Sequence, residues 1–205
     1  MYIVGITGGT GAGKTTAIRS IVGPGAKALD CDAVYHELLL NNSKMKAEIS
    51  NRFNNVTTDG KIDRQKLGKL VWNNPDSLSV LNKITHKYIN DEIDRRLEQF
   101  QKQGIKTILI DAIALIESGQ GKKCDVLICV TAPEEKRIAR IMERDNLTEE
   151  QAKKRINAQK PDGYYRENCD YVLENIYETS AEFEKKCIEF FKDLKGKNQW
   201  GIERS

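Results

Sequence analysis

The sequence predicts an α/β protein of three layers, in which helices cover both faces of a five-stranded parallel sheet. Three observations support this fold class. Short apolar runs alternate with helical patterns, a glycine-rich turn joins the first run to the first helix, and about 75 residues between the second and third runs contain no clear strand. Alternating strands and helices are typical of parallel sheets, because each crossover helix packs on the sheet.

Five segments are predicted as strands from their apolar content and flanking turn residues. They are residues 2–7, 26–30, 106–110, 125–130 and 170–173. Between the second and third strands, helices are predicted at 38–53, 63–72, 76–84 and 86–103. Asp63 is placed to cap the second of these helices, and the last carries one apolar stripe at helical spacing, which indicates a core-facing surface. We therefore expect a helical subdomain over residues 33–103.

Two capping patterns follow the fourth strand. Thr131–Glu134 has the spacing of a capping box with an early proline, and Thr148–Gln151 has the spacing of a second capping box. They predict two short charged helices, and residues 134–167 are expected to form a lid. A further helix is predicted at 179–195. We expect a single domain, residues 1–205, with a core at 1–32, 104–133 and 168–195.

The segment from Gly8 to Thr15 matches the phosphate-binding pattern G-x-x-x-x-G-K-[ST]. It lies between a strand and a helix, which is the context that this motif requires. Glycines let the loop adopt positive φ and turn its N–H groups toward an anion, while the helix presents its positive dipole end. The motif predicts a P-loop NTPase-like fold that binds a nucleoside triphosphate. The alternative is a glycine-rich turn that binds nothing.

Individual roles follow from this motif. Lys14 is expected to reach the β- and γ-phosphates, the Thr15 hydroxyl to ligate Mg²⁺, and Thr16 to lie near the α-phosphate. The predicted nucleotide-binding residues are Gly9, Thr10, Gly11, Ala12, Gly13, Lys14, Thr15 and Thr16. Asp111, which ends the third strand, is a second candidate ligand for Mg²⁺. Its alternative is an ordinary turn residue at a strand end.

Two carboxylates end the second strand. Ligands gather at the carboxyl ends of parallel strands, and phosphoryl transfer to an alcohol needs a carboxylate that orients the hydroxyl and accepts its proton. Asp32 is the candidate base, because it lies further out than Asp30. The alternative is that the pair caps the next helix, and the two roles can fall to different members.

Arginines at spacings of three and four share one face of the first lid helix. They are Arg137, Arg140 and Arg144, and Arg155 follows on the next helix. Such arginines can neutralise a transferring phosphoryl group. The alternative is a solvated face paired with Glu134, Glu143 and Glu150, and this alternative is favoured for Arg137. His36 and His86 are expected to be packed or solvated rather than catalytic.

Composition excludes some classes of partner. The net charge of +3 and the absence of a long apolar run predict neither nucleic-acid nor membrane binding. The five cysteines form no C-x-x-C pair and no secretory segment opens the chain, which predicts reduced thiols and a cytoplasmic location. We expect a monomer or a weak homo-oligomer.

In chain order, several segments resemble the dephospho-coenzyme A kinase family. Gly5–Thr16 is similar to its glycine loop and Asp30–Asp32 to its D-x-D segment. Further matches are Asp59–Arg64 with Leu67, Leu81–His86, Asp111–Gly119, Arg144-Asp145 with Arg155-Ile156 and Ala158-Gln159, and Asp170–Val172 with Asn175. The resemblance covers about residues 2–176, and the chain departs from it at Lys87, Ile113-Ala114, Ile116 and Tyr177-Glu178.

The resemblance implies ATP-dependent phosphorylation of the ribose 3′-hydroxyl of dephospho-CoA. It implies that Asp32 is the base, that Arg64 and His86 lie near the acceptor, and that Asn175 lies at the nucleotide. Lys14, Arg140 and Arg144 would then stabilise the transferred phosphoryl group. The implied ligands are ATP, Mg²⁺ and dephospho-CoA.

Two other functions remain open from the residues alone. Another small-molecule kinase, for a nucleoside or a nucleoside monophosphate, would use the same loop and lid. A GTP-dependent switch would need an N-K-x-D segment, and the nearest match, Asn82–Thr85, has threonine in place of the aspartate.

Overall fold

The computed structural model describes residues 1–22, 26–72 and 74–198. Its strands are β1 (Tyr2–Thr7), β2 (Ala26–Asp30), β3 (Thr57–Thr58), β4 (Lys61–Ile62), β5 (Thr107–Asp111), β6 (Val126–Thr131) and β7 (Tyr171–Glu174). Five of them form a parallel sheet in the order β2-β5-β1-β6-β7, with helices on both sides, while β3 and β4 pair antiparallel. The predicted fold class is confirmed.

The helices of the described residues alternate with these strands. They are α1 (Lys14–Ile21), α2 (Cys31–Asn41), α3 (Ser43–Arg52), α4 (Arg64–Trp72), α5 (Pro75–Lys102), α6 (Glu134–Asp145), α7 (Glu149–Asn157), α8 (Asp162–Asn168) and α9 (Ser180–Asn198). A 3-10 helix at Gln120–Lys123 precedes β6. Among these helices, none combines the length and the apolar composition that crossing a membrane requires.

The central strand β1 positions the glycine loop. It pairs with β5 on one edge and with β6 on the other, and Val4 and Ile6 are fully buried. A central strand covered on both faces is apolar along its length, which explains its continuous apolar run. Since Gly8 directly follows β1, the loop starts at the carboxyl end of the middle of the sheet.

The chain divides into two compact units. One comprises Met1–Leu29 and Phe100–Ser205, and the other comprises Asp30–Gln99. The first contains the sheet core and the lid helices. The second has a core of its own, to which α2 to α5 contribute Val34, Leu38, Met45, Ile49, Leu67, Leu81 and Ile84.

Several predicted boundaries in the helical unit are wrong. The helix predicted at 38–53 is two helices, because the Asn42 side chain accepts a hydrogen bond from the Met45 N–H and starts α3 anew. The helices predicted at 76–84 and 86–103 are the single helix α5. The hairpin of β3 and β4 lies in a region predicted to lack strands. The Asp63 cap is confirmed by its bonds from the Gln65 and Lys66 N–H groups.

The two predicted lid caps have different outcomes. Thr131 is the last residue of β6, and α6 begins after Pro133 without a side-chain cap, so the first capping box is wrong. Thr148 and Gln151 form a complete capping box at α7. The strand geometry of β6 takes Thr131 into the sheet, which a local pattern cannot anticipate.

Candidate active site

Backbone geometry at three glycines shapes the loop. Gly8, Gly11 and Gly13 have φ of 130°, 77° and 110°. A Cβ at Gly8 would lie 2.1 Å from the Val130 carbonyl oxygen, and one at Gly11 would lie 2.7 Å from the Arg137 carbonyl oxygen. Gly8 and Gly11 require glycine for two reasons. Residues with a side chain disfavour such φ values, and a Cβ would overlap with neighbouring backbone atoms, which cannot move without disturbing the fold.

Backbone donors collect in this loop. Gly13 is the N-cap residue of α1, and its carbonyl accepts hydrogen bonds from the N–H groups of Thr16 at 3.0 Å and Ala17 at 3.2 Å. The N–H groups of Gly11, Gly13 and Thr15 donate to no acceptor among the described residues. The Lys14 ammonium lies at the same loop and donates to the Gly8 carbonyl at 2.8 Å. The arrangement is that of an anion-binding site.

Arg137 supports the loop from α6. It is only 5% exposed, so the predicted solvated face is wrong for this residue. Its Nε donates to the Thr10 carbonyl at 2.9 Å, and its Nη1 donates to Asp162 at 2.9 Å. Its Nη2 is buried and has no hydrogen-bond partner in the described part of the chain, and a Cβ at Gly9 would lie 2.2 Å from it. The guanidinium therefore packs directly under the start of the loop.

Arg140 and Asn175 hold the other half of the loop. Arg140 donates to the Gly11 carbonyl through Nη1, and to the Asn175 side chain and the Tyr177 carbonyl through Nη2, each at 3.2 Å. Asn175 is 4% exposed, and its Nδ2 donates to the Ala12 carbonyl at 2.9 Å. Burial lowers the pKa of Arg140. Asn175 thus acts on the loop itself, and its direct contact with a nucleotide stays a prediction.

Arg144 has a different environment from the other two lid arginines. It is exposed and donates to Asp145 at 2.9 and 2.8 Å, while Arg155 binds the same carboxylate. The pairing with glutamates expected for a solvated face is therefore wrong for Arg144. The Arg144 hydrogen bond lowers the pKa of Asp145 to about 2. In this structure the Arg144 guanidinium is paired with Asp145, and its contact with a transferred phosphoryl group stays a prediction.

A further loop contact was missed from the sequence. The Thr10 N–H donates to Gln159 Oε1 at 2.8 Å. Gln159 follows the end of α7, and its own N–H donates to the Ile156 carbonyl at 3.1 Å. No local pattern marks this residue, because the two partners are separated by 149 positions.

The predicted Mg²⁺ ligands have suitable donor chemistry. Thr15 is exposed in the first turn of α1, and Asp111 is the last residue of β5, opposite Ile6 in the register with β1. The described residues contain no cluster of three or more His, Cys, Asp or Glu side chains that could hold a metal. One hydroxyl and one carboxylate fit Mg²⁺, which usually completes its coordination with substrate phosphates and water. The Thr16 hydroxyl lies 3.4 Å from that of Ser180.

In the helical unit, Asp30 and Asp32 divide the two predicted roles. The Asp30 carboxylate accepts hydrogen bonds from the N–H groups of Asp32 at 2.8 Å and Ala33 at 3.0 Å, so it is the N-cap of α2. Asp32 lies exposed in the first turn of this helix. Its carboxylate accepts no hydrogen bond from the protein groups that the structure describes, and it is therefore available to another ligand.

Arg64 lies near the same end of α2. Tyr35 is one turn after Asp32 on the same face of the helix. Burial raises the pKa of Tyr35, and the charge of Arg64 opposes this rise. Asp32, Tyr35 and Arg64 therefore belong to one region of the helical unit. His86 is half-buried on α5.

Lys87 and Ile113, at which the chain departs from the family pattern, each contact other residues of their own unit. Lys87 lies 3.8 Å from the Glu48 carboxylate and 5.0 Å above the Tyr88 ring, and Tyr88 donates to Glu48 at 2.7 Å. These contacts join α3 and α5. In the sheet unit, the Ile113 carbonyl accepts a hydrogen bond from the Thr7 hydroxyl at 3.0 Å. Both substituted positions are thus anchored.

Comparisons with known proteins cover most of the chain. A family model described as dephospho-CoA kinase matches residues 2–180. The dephospho-CoA kinase of Latilactobacillus sakei is 36% identical over 175 residues, which cover 85% of this chain and 87% of that protein. That of Dehalococcoides mccartyi is 37% identical over 193 residues, covering 92% and 95%.

Solved structures are similar over the same extent. TT1252 from Thermus thermophilus has a TM-score of 0.80 at 26% identity, over 94% of this chain and 97% of that chain. Dephospho-CoA kinase from Campylobacter jejuni has a TM-score of 0.68 at 26% identity, over 96% and 98%. Shikimate kinase from Acinetobacter baumannii, with a TM-score of 0.55 at 16% identity, shares the fold alone.

Proposed function

Since the chain belongs to the dephospho-CoA kinase family, we propose which of its residues carry out the ATP-dependent phosphorylation of the ribose 3′-hydroxyl of dephospho-CoA. This reaction gives coenzyme A and ADP and is the last step of coenzyme A synthesis. The observation that carries the assignment of the nucleotide site is the loop after β1, in which glycine geometry, open backbone N–H groups and Lys14 converge.

The loop binds the phosphates of ATP. Its N–H groups hold the bridging and terminal phosphate oxygens, and Lys14 leaves its present carbonyl partners to reach the β- and γ-phosphates. Arg140, already at the loop, stabilises the charge of the transferred group, and Arg144 joins it after exchanging its Asp145 partner. When Mg²⁺ is bound through Thr15 and Asp111, it supplies neutralisation of phosphate charge.

The acceptor binds the helical unit. Asp32 orients the ribose 3′-hydroxyl and accepts its proton, and Arg64 binds an anionic group of dephospho-CoA, with His86 as a further contact. The carboxylate of Asp32 is exposed and accepts no hydrogen bond from the residues that the structure describes, which supports its role as base, because Asp30 already caps the helix. No disulfide joins the five cysteines, all of which lie in the described part of the chain, and this supports a reducing, cytoplasmic location.

Asp32→Asn tests this assignment. We expect kcat to fall by about 10²–10⁴, the usual contribution of a general base, while the Kd for ATP is retained. Turnover is measured by mass spectrometry as the gain of one phosphate on dephospho-CoA. Asp30→Asn is the matched control, because asparagine caps helices as well as aspartate does. Full activity of Asp32→Asn, or equal losses in the two variants, contradicts the role of Asp32.

A further inference from the structure

Thr10 is held on both sides of its backbone by residues outside the loop. Its carbonyl accepts from Arg137, which is anchored on Asp162, and its N–H donates to the side-chain carbonyl of Gln159. The neighbouring loop N–H groups, at Gly11 and Gly13, have no acceptor among the described residues. Gln159 therefore binds one N–H group in a loop whose Gly11 and Gly13 N–H groups have no acceptor among the described residues.

We propose that Gln159 is a latch on the phosphate loop that ATP displaces: the γ-phosphate takes the Thr10 N–H, and Gln159 leaves it. Gln159 thus acts on ATP binding only through the Thr10 N–H, for which it competes with the γ-phosphate. This inference rests on the proposed function, in which the loop binds the phosphates of ATP.

The chemistry favours this exchange. Hydrogen bonds to an anionic oxygen are about twice as strong as those to a neutral one, so a phosphate oxygen competes well against an amide carbonyl for the same N–H. The buried Nη2 of Arg137 provides an independent observation. It lies against Gly9 with no acceptor among residues 1–22, 26–72 and 74–198, next to the Thr10 carbonyl to which the Arg137 Nε donates. A buried guanidinium N–H without an acceptor is costly, which favours an anionic oxygen at this end of the loop.

The latch links the phosphates to the lid. Gln159 lies between α7 and α8, and its backbone is fixed by the last turn of α7 through the Ile156 carbonyl. Release of its side chain therefore removes the contact between the end of α7 and the loop, while Arg137 and Asp162 still connect α8 to the Thr10 carbonyl. A nucleotide without a γ-phosphate leaves the latch in place, so the lid segment distinguishes ATP from AMP.

The test follows the Thr10 amide resonance in the full-length, ¹⁵N-labelled protein. Spectra are recorded for the free protein, with AMP, and with Mg²⁺ and a non-hydrolysable ATP analogue. Gln159→Ala removes the acceptor, and Gln159→Asn keeps an amide that is one methylene too short to reach Thr10, so either variant suffices if the other does not fold. Asn157→Ala is the matched control, because Asn157 is an exposed amide two residues earlier.

We expect the Thr10 resonance of each Gln159 variant to differ from the wild type in the free protein and with AMP, and to coincide with it in the analogue complex. Loss of the competing acceptor should also tighten binding of the analogue by about threefold to tenfold, the range for one neutral hydrogen bond. Asn157→Ala should change neither quantity.

Three results would overturn the latch: no difference in the free protein, a difference that persists in the analogue complex, or weaker binding of the analogue by the Gln159 variants. A different result would contradict the proposed function, namely a wild-type protein that does not phosphorylate dephospho-CoA. An active enzyme whose Thr10 difference persists with the analogue rejects the latch alone.

Discussion

Gly11 and Gly104 form a matched pair for testing how closely the phosphate loop packs on α6. Their φ values are 77° and 74°, so alanine meets the same backbone strain at both sites. Their surroundings differ. A Cβ at Gly11 would lie 2.7 Å from the carbonyl oxygen and 3.0 Å from the Cα of Arg137, whereas a Cβ at Gly104 meets nothing within 4 Å.

The expected energies follow from these distances. The left-handed conformation costs alanine about 1–2 kcal/mol, and the restricted unfolded chain returns about 0.4–1 kcal/mol, so Gly104→Ala should lower the free energy of unfolding by about 1 kcal/mol. Gly11→Ala adds an overlap with backbone, which costs about 1–3 kcal/mol as overpacking does. We therefore expect a total loss of about 2–4 kcal/mol for Gly11→Ala.

The same overlap should weaken ATP binding in Gly11→Ala but not in the control variant Gly104→Ala. The loop must move away from α6, and losing one hydrogen bond to a charged phosphate, about 1.5–3 kcal/mol, raises the Kd for ATP by about 10- to 150-fold. Urea unfolding measures the stabilities, and equilibrium titration measures the Kd for ATP. Equal destabilisation of the two variants, or an unchanged Kd in Gly11→Ala, would refute the reasoning.

Two further predictions concern ion pairs. Arg137→Met should lower the free energy of unfolding by about 2–3 kcal/mol, and Asp162→Asn should lower it by about 1 kcal/mol. The double mutant should show a coupling energy of at least about 0.5 kcal/mol between the two positions. Additive losses would contradict a stabilising interaction between Arg137 and Asp162. Hydrogen bonding from Arg95 lowers the pKa of Glu92 to about 2, so the ionised carboxylate stabilises the fold above pH 4.5, and this contribution is lost as pH falls toward 2. Glu92→Gln should lower the free energy of unfolding by about 0.5–1 kcal/mol at pH 7, and most of this difference should vanish at pH 3. Glu98→Gln, an exposed control on the same helix, should show no such pH dependence. A difference for Glu92→Gln that stays constant down to pH 3 would reject this explanation.

Local patterns predicted the parts of the fold that depend on neighbouring residues. The strand, glycine loop and helix at the start of the chain lie as the motif required, and the caps at Asp63 and Thr148 form the expected bonds. Later strands are displaced by about one residue from their predicted positions, because apolar composition marks a strand better than its ends. Asp111 still ends its strand as expected.

Errors arose where distant contacts decide the outcome. Arg137 was expected on a solvated face, because its charge and spacing match those of Arg140 and Arg144. Burial of this charge is possible only because the Thr10 carbonyl and Asp162 accept its protons. Gln159 belongs to a segment that resembles the family, but no local pattern links it to the loop, since its partner Thr10 lies near the other end of the chain.

The sequence by itself determined the phosphate loop, the five strands of the parallel sheet, and the helix caps at Asp63 and Thr148, because each depends on residues close to one another in the chain. Only the tertiary structure decided which arginines support the loop, which one stays on the surface, and which amide holds the Thr10 N–H. Those choices depend on hydrogen-bond acceptors brought together from separate elements, and the energy of a buried polar group is set by such acceptors rather than by its place in the chain.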